Sequence, residues 1–118
     1  MVAVRKPSES AEPDENEMQR ERRRSLGKVL KKWREAEGHT QADLANILGL
    51  KYYSFISQVE NGIGRIPQSF YGPWADALSI DREEFSWTVL AAIEPRLYDL
   101  LAHRDPNKAS RANESQEL

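Results

Sequence analysis

Hydrophobic residues in the middle of the chain recur with the 3.6-residue period of an α-helix, and no segment alternates with the two-residue period of a strand. The first stripe, at positions i, i+3, i+4 and i+7, consists of Leu26, Val29, Leu30 and Trp33. This spacing predicts an amphipathic first helix. Gly38 follows where a left-handed C-terminal cap is expected, so it should end that helix.

A second, shorter helix is predicted directly after this glycine. Thr40 lies where an N-cap residue is expected, because its hydroxyl can accept a hydrogen bond from a free main-chain amide of the first turn. The buried side of this helix is assigned to Leu44, Ile47 and Leu48. Gly49 should end it.

A third helix carries its buried stripe at the same spacing, formed by Tyr52, Phe55, Ile56 and Val59. Asn61 and Gly62 close it, because both tolerate the left-handed backbone conformation of a helix C-terminus. The residues from Gly62 to Pro67 are expected to form a loop.

Three further helices are predicted. The fourth covers residues 68–78 and buries Phe70, Trp74 and Leu78, and Pro73 should kink it or move its start to Gly72. Asp81 and Glu84 form a capping box for a fifth helix, which buries Phe85, Val89 and Ile93. Pro95 begins a short sixth helix with Leu97, Leu100 and Leu101. The predicted fold class is therefore all-α, with five helices and an additional short C-terminal helix.

The acidic and basic residues are unevenly distributed along the 118-residue chain, whose net charge is −2. Residues 1–18 carry a net charge of −3, residues 19–65 carry +5 and residues 66–118 carry −4. A basic block between acidic ends is typical of a surface that binds a polyanion. Solvated helix faces give the same pattern, so charge alone does not decide.

The ends of the chain differ in composition from its centre. Residues 1–18 form a polar, acidic arm and residues 104–118 a polar tail, and both lack the large apolar groups needed to offset the entropy of ordering. We expect both to be disordered and residues 19–103 to form one domain. The N-terminal segment lacks the apolar core of a secretory signal, and no apolar run is long enough to span a membrane.

Residues 38–62 contain two short helices joined at a glycine, an arrangement known from DNA-binding proteins. Three segments are diagnostic in combination: Thr-Gln-Ala-Asp-Leu-Ala at 40–45, Ile-Ser-Gln-Val-Glu-Asn-Gly at 56–62 and Trp-Ala-Asp-Ala-Leu at 74–78. Together they resemble the repressor-like helix-turn-helix family, which includes lambda-type repressors, Cro proteins and XRE-like bacterial regulators. The resemblance runs from about Leu26 to Phe85. It implies the lambda-repressor-like fold, with the third helix as the recognition helix.

The segment from Gly49 to Gly62 is one residue longer than the commonest spacing in this family. We therefore assign the recognition helix by counting back from Asn61-Gly62. The resemblance then implies that Tyr53, Ser54, Ser57 and Gln58 read bases. A glutamine can bond bidentately to adenine in the major groove. The alternative is that these residues are only the polar side of an amphipathic helix, and Tyr52 and Tyr53 could instead pack across the turn.

Phosphate contacts position such a protein without reading sequence. The resemblance implies this role for Gln41 at the start of the second helix, where free amides and the helix dipole also favour a phosphate. It implies the same for Asn61 after the recognition helix, where the alternative is a simple helix cap, and for Arg65 in the loop. Lys51 and Tyr52 at the turn are further candidates.

Arginines of the predicted first helix and the segment before it have separate interpretations. The family commonly pairs an arginine late in the first helix with the glutamate of Glu-Asn-Gly, so the resemblance implies a structural ion pair between Arg34 and Glu60. The run from Arg20 to Arg24 is interpreted either as a basic arm on DNA or as a solvated first helical turn.

The last two predicted helices carry more large apolar residues than one small core can bury, namely Trp87, Leu90, Leu97, Tyr98 and Leu101. An exposed apolar patch of this kind usually marks an interface. We interpret it as the contact of a homodimer that presents two recognition helices to adjacent half-sites. The alternative is that the sixth helix folds back over its own domain.

The leading hypothesis is a sequence-specific regulator of transcription that binds double-stranded DNA, acts as a repressor, and works in the bacterial cytoplasm or nucleoid. One alternative is an antitoxin that binds DNA and a toxin through its C-terminal helices. Another is a protein-interaction module that kept the fold and lost DNA binding. We expect no enzyme, cofactor or metal site, because the chain has no cysteine, two histidines and no glycine-rich phosphate loop.

Overall fold

The computed structural model describes residues 14–102, and every regular element in that range is helical. Six α-helices follow in order: α1 is Glu15–Ala36, α2 is Gln41–Ile47, α3 is Ser54–Glu60, α4 is Tyr71–Ala77, α5 is Arg82–Ile93 and α6 is Pro95–Ala102. A 3₁₀ turn, Gln68–Phe70, precedes α4. The prediction of an all-α fold with a short additional C-terminal helix is confirmed.

Helix α1 begins earlier than the sequence pattern indicated. The Asp14 carboxylate accepts a hydrogen bond from the Glu17 amide at 2.8 Å and so caps the helix. Glu15 and Glu17 in the first turn also interact favourably with the helix dipole. The structure places residues 15–18, which the sequence pattern assigned to the N-terminal arm, in the first turn of α1. Residues 1–13 of the predicted arm, the last residue of the predicted domain at position 103 and the predicted tail at 104–118 lie outside the described residues.

The turn between α1 and α2 follows the predicted capping. Gly38 adopts the left-handed conformation with φ of 82° and directs the chain out of α1. Thr40 then caps α2. Leu44 is fully buried, but Ile47 is 54% exposed. The assignment of Ile47 to the buried side is wrong, because α2 ends at this residue and its side chain faces solvent.

The hydrophobic core lies where the first five helices, α1 to α5, meet around Trp74. Its fully buried large side chains are Trp74, Phe85, Leu30, Leu44, Ile56 and Val89. Aromatic rings join these elements: the ring centroids of Phe55 and Trp74 are 6.2 Å apart, and those of Tyr71 and Phe85 are 6.0 Å apart. The recognition helix is thereby attached to the centre of the core.

The predicted fourth helix is divided into the 3₁₀ turn and α4. Pro73 occupies the third position of α4, where its missing amide hydrogen leaves no intrahelical bond unmade. The start of α4 is Tyr71, one residue before the predicted Gly72. Phe70 is half-buried rather than part of the buried core.

Helices α5 and α6 complete the domain. The Asp81 carboxylate accepts a hydrogen bond from the Glu84 amide at 3.0 Å and caps α5, which is the Asp81 half of the predicted capping box. Phe85 and Val89 are buried in the core, whereas Ile93 is only half-buried against it. Helix α6 begins at Pro95 and has no buried residue.

Candidate DNA-binding interface

Helix α2 is fixed at its start by a complete capping box. The Thr40 hydroxyl accepts from the Asp43 amide at 3.0 Å, and the Asp43 carboxylate accepts from the Thr40 amide at 2.9 Å. The hydrogen bond that the Thr40 amide donates to the Asp43 carboxylate lowers the pKa of Asp43, and the interaction of this carboxylate with the Thr40 hydroxyl lowers it further. Residue Gln41, a predicted phosphate contact, is thus held as the first residue of an ordered helix.

The turn from α2 to α3 contains the extra residue noted in the sequence. Gly49 takes the left-handed conformation with φ of 73°, and the Leu50 amide then donates to the Ala45 carbonyl at 2.8 Å. Leu50 is half-buried and packs against the core. Lys51 and Tyr52 are exposed, with the Lys51 Nζ 5.8 Å from the centre of the Tyr52 ring.

The placement of Tyr52 on the buried stripe of the recognition helix is wrong. Helix α3 begins at Ser54, so Tyr52 precedes it, and its side chain is 67% exposed. Its neighbour Tyr53 is 57% exposed and is the N-cap residue of α3. Both rings therefore face solvent and are accessible to a ligand at this turn.

Helix α3 separates its buried and exposed residues cleanly. Ile56 and Val59 are buried, and Phe55 is half-buried beside Trp74. On the other side lie the four predicted base-contacting residues, of which Tyr53, Ser54 and Gln58 are exposed and Ser57 is half-buried. Since positions three and four apart share a helix face, these side chains form one polar surface.

The C-terminal end of α3 is held by a buried ion pair. The Arg34 Nε donates to the Glu60 Oε2 at 2.7 Å and the Arg34 Nη2 donates to the Glu60 Oε1 at 3.0 Å, so the pair is bidentate. The hydrogen bond to Glu60 raises the pKa of Arg34, which keeps its charge at any physiological pH. The Arg34 Nη1 also donates to the His39 carbonyl at 2.8 Å. The two residues suggested by the resemblance are therefore in contact, and they connect α1, α3 and the turn before α2.

The predicted phosphate contacts differ in how free their side chains are. The Gln41 Nε2 donates to the Glu60 Oε1 at 3.0 Å, so its side chain is already engaged by the ion pair. Asn61 is exposed beyond the end of α3, and its Nδ2 lies 3.4 Å from the Ser57 Oγ. Arg65 is exposed in the following loop, and Lys51 and Tyr52 are exposed at the turn before α3.

Two glycines allow α1 to lie directly against α3 and the loop after it. A Cβ on Gly27 would overlap the Glu60 carbonyl oxygen and would lie 2.9 Å from the Val59 oxygen. A Cβ on Gly62 would lie 2.8 Å from the Arg24 main-chain nitrogen. Gly27 had no predicted role, although a glycine inside a predicted helix often indicates a close approach of two main chains.

The predicted interface residues meet at a cleft between α5, α6 and the loop before α4. The cleft has a volume of about 780 Å³, and Trp87, Leu90, Leu97 and Leu101 line it together with Arg65 and Pro67 of the loop. Tyr98 lies beside it, with its ring edge-on to Trp87 at 5.8 Å. Helix α6 thus packs against α5 without closing the core, as its exposed leucines show.

Comparison with known proteins agrees with the geometry of α2 and α3. A family model described as helix-turn-helix matches residues 30–85, from the middle of α1 to the first turn of α5. No curated protein gives a significant match. In the described range, no helix combines the length and hydrophobicity needed to cross a bilayer. The match and the arrangement of α2 and α3 show that residues 30–85 form a helix-turn-helix domain of the XRE and lambda-repressor type.

Proposed function

We propose that this protein represses transcription by binding specific double-stranded DNA as a homodimer, with α3 in the major groove. The observation that carries the proposal is the polar face of α3, where Tyr53, Ser54 and Gln58 are exposed while the opposite face is buried. The buried ion pair at the end of α3 supports the proposal, because it would hold this polar face in one orientation.

The chemistry of the exposed side chains suits base edges. The Gln58 amide can donate to and accept from adenine at N6 and N7, and the hydroxyls of Ser54 and Ser57 can bond to several bases. The Tyr53 ring offers an apolar surface to a thymine methyl group. Each of these contacts discriminates between bases only if α3 keeps one orientation in the groove.

Phosphate contacts on both sides of α3 would fix that orientation. Asn61 and Arg65 follow α3, and Lys51 and Tyr52 precede it. Gln41 contributes from the start of α2. Because its side chain amide already donates to Glu60, we propose that a phosphate at Gln41 is bound mainly by main-chain amides.

A second copy of the chain is the proposed occupant of the cleft formed by Trp87, Leu90, Leu97, Tyr98 and Leu101. Leu97 is 44% exposed and Leu101 is 41% exposed, which is apolar surface that an interface would bury. Arg65 lies at the edge of the same cleft, so the proposed dimer face is continuous with the DNA-contacting loop. A two-fold dimer built this way would present two α3 helices to half-sites about one DNA turn, or ~34 Å, apart.

Repression would follow from occupancy alone. A dimer bound over a promoter blocks polymerase without further chemistry. This mechanism uses the polar face of α3 and the cleft between α5 and α6.

Binding to a labelled fragment of the DNA upstream of the protein's own gene tests the proposal. We expect saturable binding that outcompetes unrelated DNA and weakens steeply as salt rises, because phosphate contacts release counterions. The absence of binding to any DNA at low salt would overturn the proposal. Binding without preference for any sequence would remove the base-reading role of α3.

Sedimentation equilibrium of the full chain tests the dimer. We expect Leu97→Ser to shift the protein from dimer to monomer, whereas Ile47→Ser, a comparably exposed aliphatic residue outside the cleft, should leave the dimer intact. A wild-type protein that stays monomeric on and off DNA would contradict this part of the proposal.

A further inference from the structure

The N-terminal half of α1 extends beyond the part of the helix that builds the core. The buried residues of α1 begin at Leu26, although the helix begins at Glu15. Arg22 attaches this extension to the rest of the domain, because its Nε donates to the Ala92 carbonyl at 3.1 Å. The extension is therefore an ordered part of the domain surface.

The extension passes directly beside the end of the recognition helix. The Gly62 site has so little space that a Cβ there would lie 2.9 Å from the Arg24 Cα. Gly62 immediately follows Asn61, the proposed phosphate contact. The main chain of α1 at Arg24 is thus in contact with the loop that would lie against the DNA backbone.

Two arginines of the extension lie on the side of α1 that faces this loop. An α-helix turns about 100° per residue, so Arg20 and Arg24 lie within about 60° of Gly27, whose Cα rests on α3. They are four residues apart, which places them one above the other on the same face. Four residues advance about 6 Å along the axis, so Arg20 lies beyond Arg24, farther from α3.

These two side chains are available for a new contact. Arg20 is exposed and forms no ion pair within residues 14–102. Arg24 pairs with Glu21 at 2.7 Å, but both side chains are more than half exposed. Such exposed pairs contribute little to stability and exchange easily for a phosphate.

We propose that Arg20 and Arg24 of α1 contact DNA phosphates just outside the half-site that α3 occupies. The contact would extend the footprint along the backbone past Asn61 and Arg65 without reading any base. This inference rests on the proposed DNA binding by α3. It differs from a mobile basic arm, because a folded helix holds the two charges at a fixed spacing beside the loop.

The experiment compares the full-length Arg20→Ala/Arg24→Ala variant with a control that removes two exposed cations elsewhere, Lys32→Ala/Arg82→Ala. Lys32 is five residues from Gly27 and so lies about 140° around α1. Arg82 is on α5, where it pairs with the exposed Asp76 at 2.6 Å. Both double variants change the net charge equally, which separates a specific contact from a general electrostatic effect. Circular dichroism first checks that both are folded.

Equilibrium binding to the upstream fragment is measured over a salt series, together with interference by ethylated phosphates. For Arg20→Ala/Arg24→Ala we expect the slope of log K against log salt to decrease in magnitude by about 1.8, which corresponds to two lost phosphate contacts. Interference should disappear at the outermost phosphates of the footprint and persist at those beside α3. The control should keep the wild-type slope and footprint.

An unchanged slope and footprint in Arg20→Ala/Arg24→Ala would overturn the inference while leaving base recognition by α3 intact. Equal losses in both double variants would also overturn it, because the effect would then be general attraction. A wild-type protein that binds no DNA would instead overturn the proposed function itself, and this inference with it.

Discussion

The two ends of the loop that follows α3 meet very different surroundings. At its start, Glu60 is buried in a bidentate ion pair with Arg34, and the glycines at 27 and 62 leave no space for a side chain. At its far end, Arg65 borders an open cleft in which Leu97 and Leu101 are each more than 40% exposed. The first region fixes the direction of the recognition helix, and the second leaves apolar surface for a partner. Substitutions in the first should therefore reduce stability, and those in the second should reduce association.

The largest loss of stability is expected for Glu60→Ala. Removing the carboxylate leaves the Arg34 guanidinium buried without its charge partner, which costs about 3–5 kcal/mol of unfolding free energy. Urea denaturation measures this loss of unfolding free energy. Asp76→Ala breaks the exposed pair with Arg82 and should change stability little, because water screens that pair. Equal losses of unfolding free energy in the two variants would contradict the special role of the buried ion pair between Arg34 and Glu60.

Gly27→Ala should be the next most severe change, with a loss of about 1–3 kcal/mol as the two main chains are forced apart. Helix propensity alone predicts the opposite sign, a gain of roughly 0.5–1 kcal/mol. Thermal and urea unfolding of Gly27→Ala show whether the protein is destabilised, as the close contact predicts, or stabilised, as helix propensity predicts. Ser25→Ala, two residues earlier and exposed on the same helix, serves as the control. A stabilised Gly27→Ala protein would mean that α1 and α3 are not in such close contact.

Thr40→Ala should cost about 1 kcal/mol, because it removes the side-chain half of the capping box. Thr88→Ala is the matched control, since the Thr88 hydroxyl bonds only to the Glu84 carbonyl within α5. A comparable loss in the control would indicate that any threonine matters equally.

The capping box of Thr40 and Asp43 also predicts that the folding stability depends on pH. The folded-state pKa of Asp43 is lowered, so its carboxylate stabilises α2 fully above its ordinary pKa of 3.8. That contribution is lost as the pH falls through the lower folded-state value. Asp43→Asn should therefore be less stable than the wild type at neutral pH, and the difference should shrink below about pH 4. A difference that is constant with pH would contradict the role of the charge.

The smallest effect on stability is expected in the cleft. Leu97→Ser removes a residue that is 44% exposed and lies outside the core, so the unfolding free energy of the monomer should change little. Measurement at protein concentrations below dimer formation isolates this quantity. A loss as large as that of Glu60→Ala would mean that α6 belongs to the core of its own domain. The cleft would then not be a surface left open for a partner.

The sequence predicted the parts of the fold that depend on local chemistry. The caps at Thr40 and Asp81 and the left-handed turn at Gly38 are readable from a few adjacent residues. Asp14 was missed because the acidic composition around it suggested disorder, although one carboxylate caps α1 there. Tyr52 was misplaced because its spacing fitted the stripe of a helix that begins two residues later.

The candidate site depends on contacts between distant parts of the chain. Periodicity cannot pair Arg34 with Glu60, which are 26 residues apart, and only the family resemblance suggested it. The contacts of Gly27 with α3 and of Gly62 with α1 depend on how the helices cross, and no local pattern specifies that crossing. The polar face of α3, in contrast, follows from the helical spacing once its last residue is fixed.

Binding of Gln58→Ala and Asn61→Ala to specific and unrelated DNA tests base reading by α3. If α3 reads bases, Gln58→Ala should reduce the preference for specific DNA by about 1–3 kcal/mol, while Asn61→Ala should weaken binding to both DNAs about equally. If Gln58→Ala instead weakens binding to both DNAs equally and leaves the preference unchanged, α3 does not read bases through Gln58.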